Sequence, residues 1–250
     1  MIGGLSSIPS GGGKPVGKEG GGNNIPRGTY KKSVVRLASA HGDTMTDMEI
    51  AIILNSGVPV TREIGADKII CADGGYRLCP VRPDYLVGDL DSLGSAPEGI
   101  PLLYHDSHKN FTDGESAVYF AKELGADLVT LYGVTGGRYD HFLGNLAVMA
   151  LAMKLGMRVR SLDDDAEIYG VSASLNPGFS FDLEAGETFS ILPYGGAATV
   201  TEARGAEYPL EDLTLTPTDT RGVSNVATAP KVTFRVTDGT VFFIRDLAFR

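Results

Sequence analysis

The 250-residue sequence has few cysteines, few basic residues and no long apolar run, and each shortage excludes a class of protein. Its 2 cysteines, Cys71 and Cys79, are too few for a disulfide framework or a zinc-ligand set. No apolar run approaches the roughly 18 residues of a membrane-spanning helix. A net charge of −9 argues against a nucleic-acid groove, which needs a basic face. We therefore expect a protein of the reducing cytoplasm that binds neither membrane nor nucleic acid.

Glycine is concentrated in the first 47 residues, where it forms the runs Gly11–Gly13 and Gly20–Gly22. This segment has few aromatic residues and no amphipathic period before Lys31. It cannot bury enough apolar surface to offset the entropy cost of ordering. We expect residues 1–47 to be a disordered head, either a tag or the product of a mis-assigned start, with Met45 or Met48 as the natural first residue.

Residues 48–162 alternate short apolar runs with helical patterns, which predicts an α/β domain with a mainly parallel sheet. One helix is predicted to start at Thr112, which has capping-box spacing to Glu115, and to stop at Gly125. A second is predicted to have its N-cap at Asp140 and to stop at Gly156. The predicted buried strands are Ile50–Leu54, Lys68–Ala72, Tyr85–Val87, Leu128–Tyr132 and Arg158–Leu162.

Residues 163–250 lose the helical period and predict an all-β, sandwich-like C-terminal domain. The Asp238-Gly239 pair between the last two runs predicts a hairpin. So small a domain would depend for its stability on the first domain or on a second subunit. The predicted strands are Thr188–Leu192, Ala198–Glu202, Leu213–Thr216, Lys231–Val236 and Thr240–Ile244.

Acidic residues follow two of the predicted parallel strands, at the sheet edge where α/β proteins bind ligands. Asp73 follows the second strand, and Asp89 and Asp91 follow the third. In an extended chain Asp89 and Asp91 leave the same side and can approach one cation, although a turn also explains the pair. Oxygen ligands without His or Cys partners favour Mg²⁺ over zinc.

A glycine-rich turn follows the fourth strand. Gly133, Gly136 and Gly137 allow a ligand to approach the backbone, and the next helix offers unpaired N–H groups to phosphate. Arg138 adds a guanidinium that matches phosphate oxygens. Asp140 is explained equally well as the N-cap of that helix.

Lys109 and Asp113 flank the start of the first helix. The capping box explains Thr112 and Glu115, but it does not explain these two residues. A lysine beside an acid at a helix start suits a triphosphate with its metal.

Several of these motifs occur together in one order. They are Ala72-Asp73-Gly74-Gly75, Gly88-Asp89-Leu90-Asp91-Ser92, Lys109 with Phe111-Thr112-Asp113, and Gly136-Gly137-Arg138 with Asp140-His141 and Asn145. The C-terminal half adds Gly205-x-Glu207-Tyr208-Pro209 and Gly222-Val223-Ser224-Asn225. The series closely resembles the thiamine pyrophosphokinase family over about residues 49–247. Asn110 departs from the aspartate expected there, and Ala206 stands where a larger apolar residue is usual.

The resemblance implies transfer of a diphosphate group from ATP to the hydroxyl of thiamine, with Mg²⁺ as cofactor, in a homodimer. It implies that the catalytic residues Asp89, Asp91 and Asp113 hold the metal together with Asp73. Thiamine would lie between the catalytic domain of one subunit and the β-domain of the other, against Tyr208, Ser224 and Asn225. The implied nucleotide contacts are Asn55, Asp73, Gly74, Lys109, Gly137, Arg138, Asp140 and Asn145.

Three other functions fit parts of the pattern. A pterin pyrophosphokinase would share the catalytic half and differ in the acceptor alcohol. A non-catalytic sensor would bind magnesium and nucleotide and use the β half to bind a partner. A metal-dependent phosphatase built on the Asp89-x-Asp91 pair would release inorganic phosphate in place of AMP.

Overall fold

The computed structural model describes residues 36–37, 47–104 and 110–247. Predictions about residues 1–35, 38–46 and 105–109, including the role of Lys109, lie outside the described residues. Within the segment predicted to be a disordered head, the structure describes Arg36–Leu37. These two residues form the short strand β1, which pairs antiparallel with residues 179–180. Neither α-helix of the described part has the length and apolar character needed to cross a bilayer.

Six parallel strands form the first half of the main sheet, in the order β5-β4-β3-β2-β6-β7. The five predicted strands are confirmed to within one residue at either end. The structure adds β5, whose three residues are too short a run to stand out in the sequence. The strands are β2 (Glu49–Ile53), β3 (Lys68–Ala72), β4 (Tyr85–Gly88), β5 (Leu102–Tyr104), β6 (Leu128–Tyr132) and β7 (Arg158–Leu162).

Helices α1 (Asp113–Glu123) and α2 (Tyr139–Lys154) pack on one face of this sheet, where they share a core with Ile50 and Ile52. The alternate residues of the same strand, Ala51 and Ile53, point to the opposite face and are covered by loop segments. This alternation buries β2 on both faces. Ligands of open α/β sheets bind at the carboxyl ends of the strands, so this edge is where a site is expected.

Antiparallel strands form the second half of the chain, and the predicted all-β part is confirmed. They are β8 (Ala166–Ser172), β9 (Gly178–Asp182), β10 (Thr188–Pro193), β11 (Ala198–Arg204), β12 (Leu213–Leu215), β13 (Asn225–Val226), β14 (Lys231–Asp238) and β15 (Thr240–Asp246). One sheet has the order β1-β9-β14-β11-β12. The strands β13-β10-β15-β8 continue the main sheet beyond β7, to which β8 pairs antiparallel. The main sheet therefore runs across the predicted domain boundary at residues 162/163.

An aromatic core joins the two sheets of the β half. Phe243 of β15 packs against Phe179 and Phe181 of β9, with ring centroids 4.8 and 5.1 Å apart. Phe189 and Phe234 complete the ring cluster. Side chains that point inward from two stacked sheets are the defining feature of a sandwich.

The hairpin predicted around Asp238-Gly239 is wrong. β14 pairs with β9 and β11 in one sheet, whereas β15 pairs with β8 and β10 in the other. Gly239 has φ +73°, and a β-carbon there would lie 2.2 Å from the Ala197 carbonyl oxygen. The turn therefore carries the chain between facing sheets, and both strands point their apolar side chains into the same core.

Candidate metal and nucleotide site

Asp73 stands at the carboxyl end of β3 in a conformation that L-residues rarely adopt. Its φ is +39°, it is 4% exposed, and it begins a short 3₁₀ helix, Asp73–Arg77. Within the described part of the chain its Oδ1 atom has no hydrogen-bond partner. A buried carboxylate oxygen without a partner is costly, and this one lies on the side of the sheet where ligands bind. Both features indicate a residue held in place for a ligand.

Three carboxylates meet at this edge. Asp73, Asp89 and Asp113 each offer an oxygen, and these oxygens lie within 4.8 Å of one another. Gly88 makes this approach possible: a β-carbon there would lie 2.9 Å from the Asp73 β-carbon and 3.2 Å from Asp113 Oδ1. Three like charges at this spacing repel one another unless a cation lies among them. An all-oxygen donor set suits a hard divalent ion such as Mg²⁺.

Asp91 lies beside this group without belonging to it. Its backbone N–H donates to Asp89 Oδ1 at 3.0 Å, and its own carboxylate is exposed and accepts from the Ser92 hydroxyl at 3.1 Å. Of the two interpretations of this pair, the structure shows the turn and not the extended chain, because Leu90 has φ +65°. The turn directs the Asp89 carboxylate inward and the Asp91 carboxylate toward solvent.

The segments that follow β2 and β3 contact each other at two of the residues predicted to bind the nucleotide, Asn55 and Gly74. A β-carbon on Gly74 would lie 2.3 Å from the Asn55 side-chain nitrogen. The glycine therefore lets Asn55, which is exposed, lie directly over the start of the 3₁₀ helix. This contact joins the loop after β2 to the segment that carries Asp73.

The glycine-rich loop after β6 packs against the same β2 loop. β-Carbons on Gly133 and Gly137 would lie 2.8 Å from the Leu54 carbonyl oxygen and 2.7 Å from that of Ser56. Both glycines have positive φ, +82° and +66°, so the backbone shape and the close contact each require glycine. Asn145 of α2 secures the loop by donating to the Val134 carbonyl at 3.2 Å. That bond shows how Asn145 holds the loop in place.

Arg138 and Asp140 form an exposed bidentate ion pair at the start of α2. The prediction that Asp140 is the N-cap is wrong: Arg138 occupies that position, and Asp140 lies in the first turn. The hydrogen bond to Asp140 raises the pKa of Arg138, and the same bond lowers the pKa of Asp140. The Asp140 carboxylate accepts from the guanidinium and also from the His141 N–H, at 2.9 Å, so it satisfies one N–H group of the first turn from inside the helix.

Asp163 is a residue of this edge that the sequence reasoning missed. It follows β7, is 8% exposed, and accepts hydrogen bonds from the backbone N–H groups of Gly133 and Thr135 and from the Ser161 hydroxyl. Burial raises the pKa of its carboxyl group despite these bonds. The rule that singled out Asp73 and Asp89, an acid directly after a strand, applies equally to Asp163. Only the structure shows that Asp163 anchors the glycine-rich loop, through its hydrogen bonds with Gly133 and Thr135.

Tyr208, Ser224 and Asn225 gather at the other end of the main sheet. Asn225 is 1% exposed, and its amide donates to the Tyr208 carbonyl at 2.9 Å and accepts from the Tyr208 N–H at 3.1 Å. The Asn225 side chain is therefore used to hold the Tyr208 segment. The Tyr208 ring is 56% exposed, and Ser224, with φ +57°, is exposed beside it.

The two groups of predicted site residues are far apart within one chain. β13, which carries Asn225, lies seven strand spacings from β3, at whose end Asp73 stands. At about 4.8 Å per spacing this is roughly 34 Å along the sheet. The structure thus brings Asn55, Asp73, Gly74, Asp89, Asp113 and Gly137 to one edge and leaves Tyr208, Ser224 and Asn225 at another.

Comparison with known proteins gives one family for both halves. The model described as "Thiamin pyrophosphokinase, catalytic domain" matches residues 64–160. The model described as "Thiamin pyrophosphokinase, vitamin B1 binding domain" matches residues 179–241. Together the two models match more than half of the chain, in the order expected from the sequence motifs.

Curated relatives agree with the family models. The thiamine pyrophosphokinase of Bacillus subtilis (strain 168) is 28% identical over 194 residues, which cover 73% of this chain and 86% of the relative. Thiamine pyrophosphokinase 1 of Oryza sativa subsp. japonica is 24% identical over 244 residues, which cover 81% and 91%.

Solved structures share the fold. The crystal structure of the Bacillus subtilis thiamine pyrophosphokinase has a TM-score of 0.67 at 24% identity and covers 79% of this chain and 98% of that chain. The thiamin pyrophosphokinase from Candida albicans has a TM-score of 0.62 at 14% identity and covers 79% and 90%.

Proposed function

The chain belongs to the thiamine pyrophosphokinase family, and we propose that it transfers the diphosphate group of ATP to the hydroxyl of thiamine, giving thiamine diphosphate and AMP. The observation that carries the proposal is the convergence of Asp73, Asp89 and Asp113 beside the glycine-rich loop. Carboxylates alone would repel the phosphates of ATP. With a divalent cation among them they become a phosphate-binding site.

We propose that Asp73, Asp89 and Asp113 hold Mg²⁺, with the exposed Asp91 carboxylate beside them. The residues fit the ion on two counts: every donor is an oxygen, and Asp73 Oδ1 is buried with no partner in the described part of the chain. When bound, the ion supplies positive charge that neutralises the phosphate oxygens as negative charge develops on them.

The nucleotide phosphates would lie along the loop after β6. Gly136 and Gly137 are exposed there with positive φ, and the start of α2 that follows them offers backbone N–H groups to phosphate. Arg138 stands at this helix start and would exchange part of its contact with Asp140 for phosphate oxygens. Asn145 and Asp163 keep the loop in position without facing the phosphates. Lys109 stays a predicted phosphate contact.

The reaction moves one group and needs no covalent intermediate. The thiamine hydroxyl oxygen forms a bond to the β-phosphorus of ATP, and the bond from that phosphorus to the α–β bridging oxygen breaks. AMP leaves with the bridging oxygen and its electron pair, and the hydroxyl proton passes to Asp91, Asp113 or water. In a loose transition state most of the acceleration comes from alignment and charge neutralisation, and the base contributes little.

The acceptor site requires a second subunit. Tyr208 and Ser224 are about 34 Å along the sheet from Asp73, which is too far for both groups to contact one thiamine within a chain. We propose a homodimer in which the β part of one subunit completes the acidic edge of the other. Asn225 would act by holding the Tyr208 ring in place for stacking. Both cysteines are free thiols, which supports the proposal that the enzyme works in the cytoplasm.

The proposal is tested by incubating the protein with Mg·ATP, with and without thiamine, and separating nucleotides and thiamine derivatives by chromatography. We expect AMP formation that depends on thiamine, and a loss of several orders of magnitude in Asp89→Ala with its fold retained. AMP formation that depends on a pterin alcohol in place of thiamine would favour the pterin kinase. ATP binding without turnover would favour the sensor, and release of inorganic phosphate would favour the phosphatase.

A further inference from the structure

The two cysteines of the chain lie together beside the segment that carries Asp73. Cys71 is in β3, is fully buried, and packs in the core on the face of the sheet opposite to the helices. Cys79 follows the 3₁₀ helix Asp73–Arg77, is half-buried, and packs against the same core. Both are free thiols, and they hydrogen-bond to each other. The chain therefore leaves the strand at one thiol, passes through the proposed metal ligand and returns to the other thiol.

The two thiols differ in reactivity and in access to solvent. Hydrogen bonds from the Cys71 thiol and from the Val81 N–H lower the pKa of Cys79 to about 7, against the opposing effect of burial. The thiolate is the form of cysteine that attacks peroxides, and Cys79 is the thiol that solvent reaches. Cys71 is closed off from solvent, so Cys79 is the partner within its reach. An accessible thiol with a lowered pKa beside a second thiol is typical of a redox-sensing pair.

We propose that Cys71 and Cys79 form a reversible disulfide when the protein meets a peroxide, and that this bond weakens the binding of Mg²⁺ at Asp73. The proposal rests on the proposed function, because it assumes that Asp73 holds the ion. Disulfides that form in a reducing cytoplasm are usually transient and redox-sensing, which agrees with a pair that is free in the resting protein.

The bond forms in two steps, with hydrogen peroxide as the oxidant. The Cys79 thiolate sulfur attacks one peroxide oxygen, so that an S–O bond forms and the O–O bond breaks. The leaving hydroxide takes up the proton that the thiol had released and departs as water. The Cys71 sulfur then attacks the Cys79 sulfur, the S–S bond forms, the S–O bond breaks, and the second hydroxide leaves as water with the Cys71 proton. Each sulfur loses one electron, and the peroxide gains two.

Formation of the bond must move Cys79 more than Cys71. Cys71 lies in an inner strand of the sheet, where it is paired with Ile53 on one side and Leu86 on the other. Cys79 lies in a turn, where its N–H donates to the Gly75 carbonyl at 3.1 Å. The sulfur atoms of a disulfide are about 2.05 Å apart, much closer than those of two hydrogen-bonded thiols. Residue 79 is therefore drawn toward β3, and it pulls on the 3₁₀ helix through Gly75.

The 3₁₀ helix is packed too closely to absorb this movement. A β-carbon on Gly75 would lie 2.2 Å from the Ile53 carbonyl oxygen, so the helix cannot shift toward β2. Asp73 begins the helix with φ +39°, and its carboxylate oxygen lies within 4.8 Å of those of the other two acids. Closely packed interiors transmit strain. The displacement therefore reaches Asp73 and moves its carboxylate away from the position that the ion requires.

The first measurement maps the bond and depends on neither turnover nor the metal. The reduced, desalted protein is treated with hydrogen peroxide, with or without later dithiothreitol; free thiols are then blocked with iodoacetamide and the peptides identified by mass spectrometry. We expect a Cys71–Cys79 crosslink, lighter than the reduced peptides by two hydrogens, that dithiothreitol removes. Cys79→Ser keeps Cys71 and every methionine, so it is the matched control and should form no crosslink; Cys79→Ala replaces it if serine prevents folding.

Two results of this mapping would overturn the proposal. One is a Cys79 that ends as the sulfinic acid with Cys71 still free, because the two thiols would then be too far apart to combine. The other is a crosslink between two chains in place of one within the chain, which a non-reducing gel separates by size.

The second measurement is the rise in Tm as Mg²⁺ is titrated into reduced and oxidised protein. We expect oxidation to weaken Mg²⁺ binding by about tenfold to a hundredfold, the range found when the support of a metal ligand is lost, and dithiothreitol to restore it. Peroxide-treated Cys79→Ser should bind Mg²⁺ as the reduced wild type does. Equal affinity in the two forms of the wild type would overturn the proposal. A loss that Cys79→Ser shares would also overturn it, since that loss would come from oxidation elsewhere, such as at methionine.

The outcomes separate this proposal from the proposed function. A crosslinked protein that still binds Mg²⁺ normally and makes AMP in a thiamine-dependent reaction keeps the enzyme function and removes the redox control. A reversible crosslink that weakens Mg²⁺ binding, in a protein that makes no AMP when reduced, keeps the redox control and removes the enzyme function.

Discussion

Gly88 and Asp73 are so close that a β-carbon on residue 88 would lie 2.9 Å from the β-carbon of Asp73. Gly88 ends β4 with φ +151°, and Asp73 follows the neighbouring strand with φ +39°. Two unusual backbone conformations on adjacent strands thus allow the buried carboxylate to approach Asp89 and Asp113. The metal site that we propose depends on backbone shape as much as on its acids.

Gly88→Ala should therefore damage the site without removing any ligand. The new methyl group must displace Asp73 or Asp113, and alanine does not tolerate this φ, so we expect at least a hundredfold lower turnover and about 1–3 kcal/mol lower stability. Gly144→Ala is the matched control, because Gly144 lies within α2 with nothing near its added β-carbon. Alanine there should stabilise by about 0.5–1 kcal/mol. Near-normal activity in Gly88→Ala would contradict the inference that Asp73 and Asp113 leave no room for a side chain at residue 88.

Asp73→Asn should have opposite effects in the absence and presence of Mg²⁺. Without the ion, neutralising one of three clustered carboxylates relieves repulsion, so we expect the Tm to rise by about 2–4 °C, equivalent to about 1 kcal/mol. With the ion, the wild type should gain thermal stability and the variant should gain much less. Differential scanning fluorimetry with and without Mg²⁺ measures both. Asp238→Asn, which alters an exposed acid at the end of β14, is the control.

An equal rise in Tm on adding Mg²⁺ to the wild type and to Asp73→Asn would show that the ion binds elsewhere.

The buried Asp163 should make stability depend on pH. Because burial raises the pKa of its carboxyl above the ordinary value of 3.8, the folded protein takes up this proton before the unfolded chain as the pH falls. Its contribution to the free energy of unfolding is therefore present at low pH and is lost as the pH rises through the raised value. Urea unfolding at a series of pH values below 7 should show an advantage of wild type over Asp163→Asn that grows as the pH falls toward 3.8.

Asp164→Asn is the matched control for this experiment, because it removes an exposed carboxylate from the next position. An advantage that shrinks as the pH falls would mean that the loop hydrogen bonds outweigh burial in setting the pKa of Asp163.

Two inactive variants should restore activity when they share a dimer. Asp89→Ala removes the acidic edge and Tyr208→Ala removes the proposed stacking ring, so each homodimer has two defective clefts. A mixed dimer has one intact cleft, and refolding the two variants together at equal concentration should give about a quarter of wild-type activity. A mixture no more active than the separate variants would contradict a site shared between subunits.

Local patterns in the sequence predicted most of the parallel half. Lys68–Ala72 and Leu128–Tyr132 match observed strands because buried parallel strands are largely continuous apolar runs between turn signals. Arg158–Leu162 also matches, although polar and apolar residues alternate along it. The β half was harder, since an Asp-Gly turn is the same signal whether it joins two strands of one sheet or, as at Gly239, two facing sheets.

The site was predictable as a set of strand-end acids and glycines, but the details of its geometry were not. The sequence placed Asp73 and Asp89 at neighbouring strand ends, and these do meet. It did not distinguish Asp89, which faces inward, from Asp91, which the positive φ of Leu90 turns outward. Nor could it show that the Asn225 side chain hydrogen-bonds to the backbone of Tyr208, because that bond joins residues 17 positions apart.

In the mechanism that we propose, an intact diphosphate passes from ATP to thiamine in one step. Its most direct test is the stoichiometry of products in a single reaction with limiting thiamine, followed by ³¹P NMR. We expect one AMP and one thiamine diphosphate for each thiamine consumed, with no ADP and no inorganic phosphate. ADP with thiamine monophosphate, or free phosphate without a thiamine ester, would contradict it.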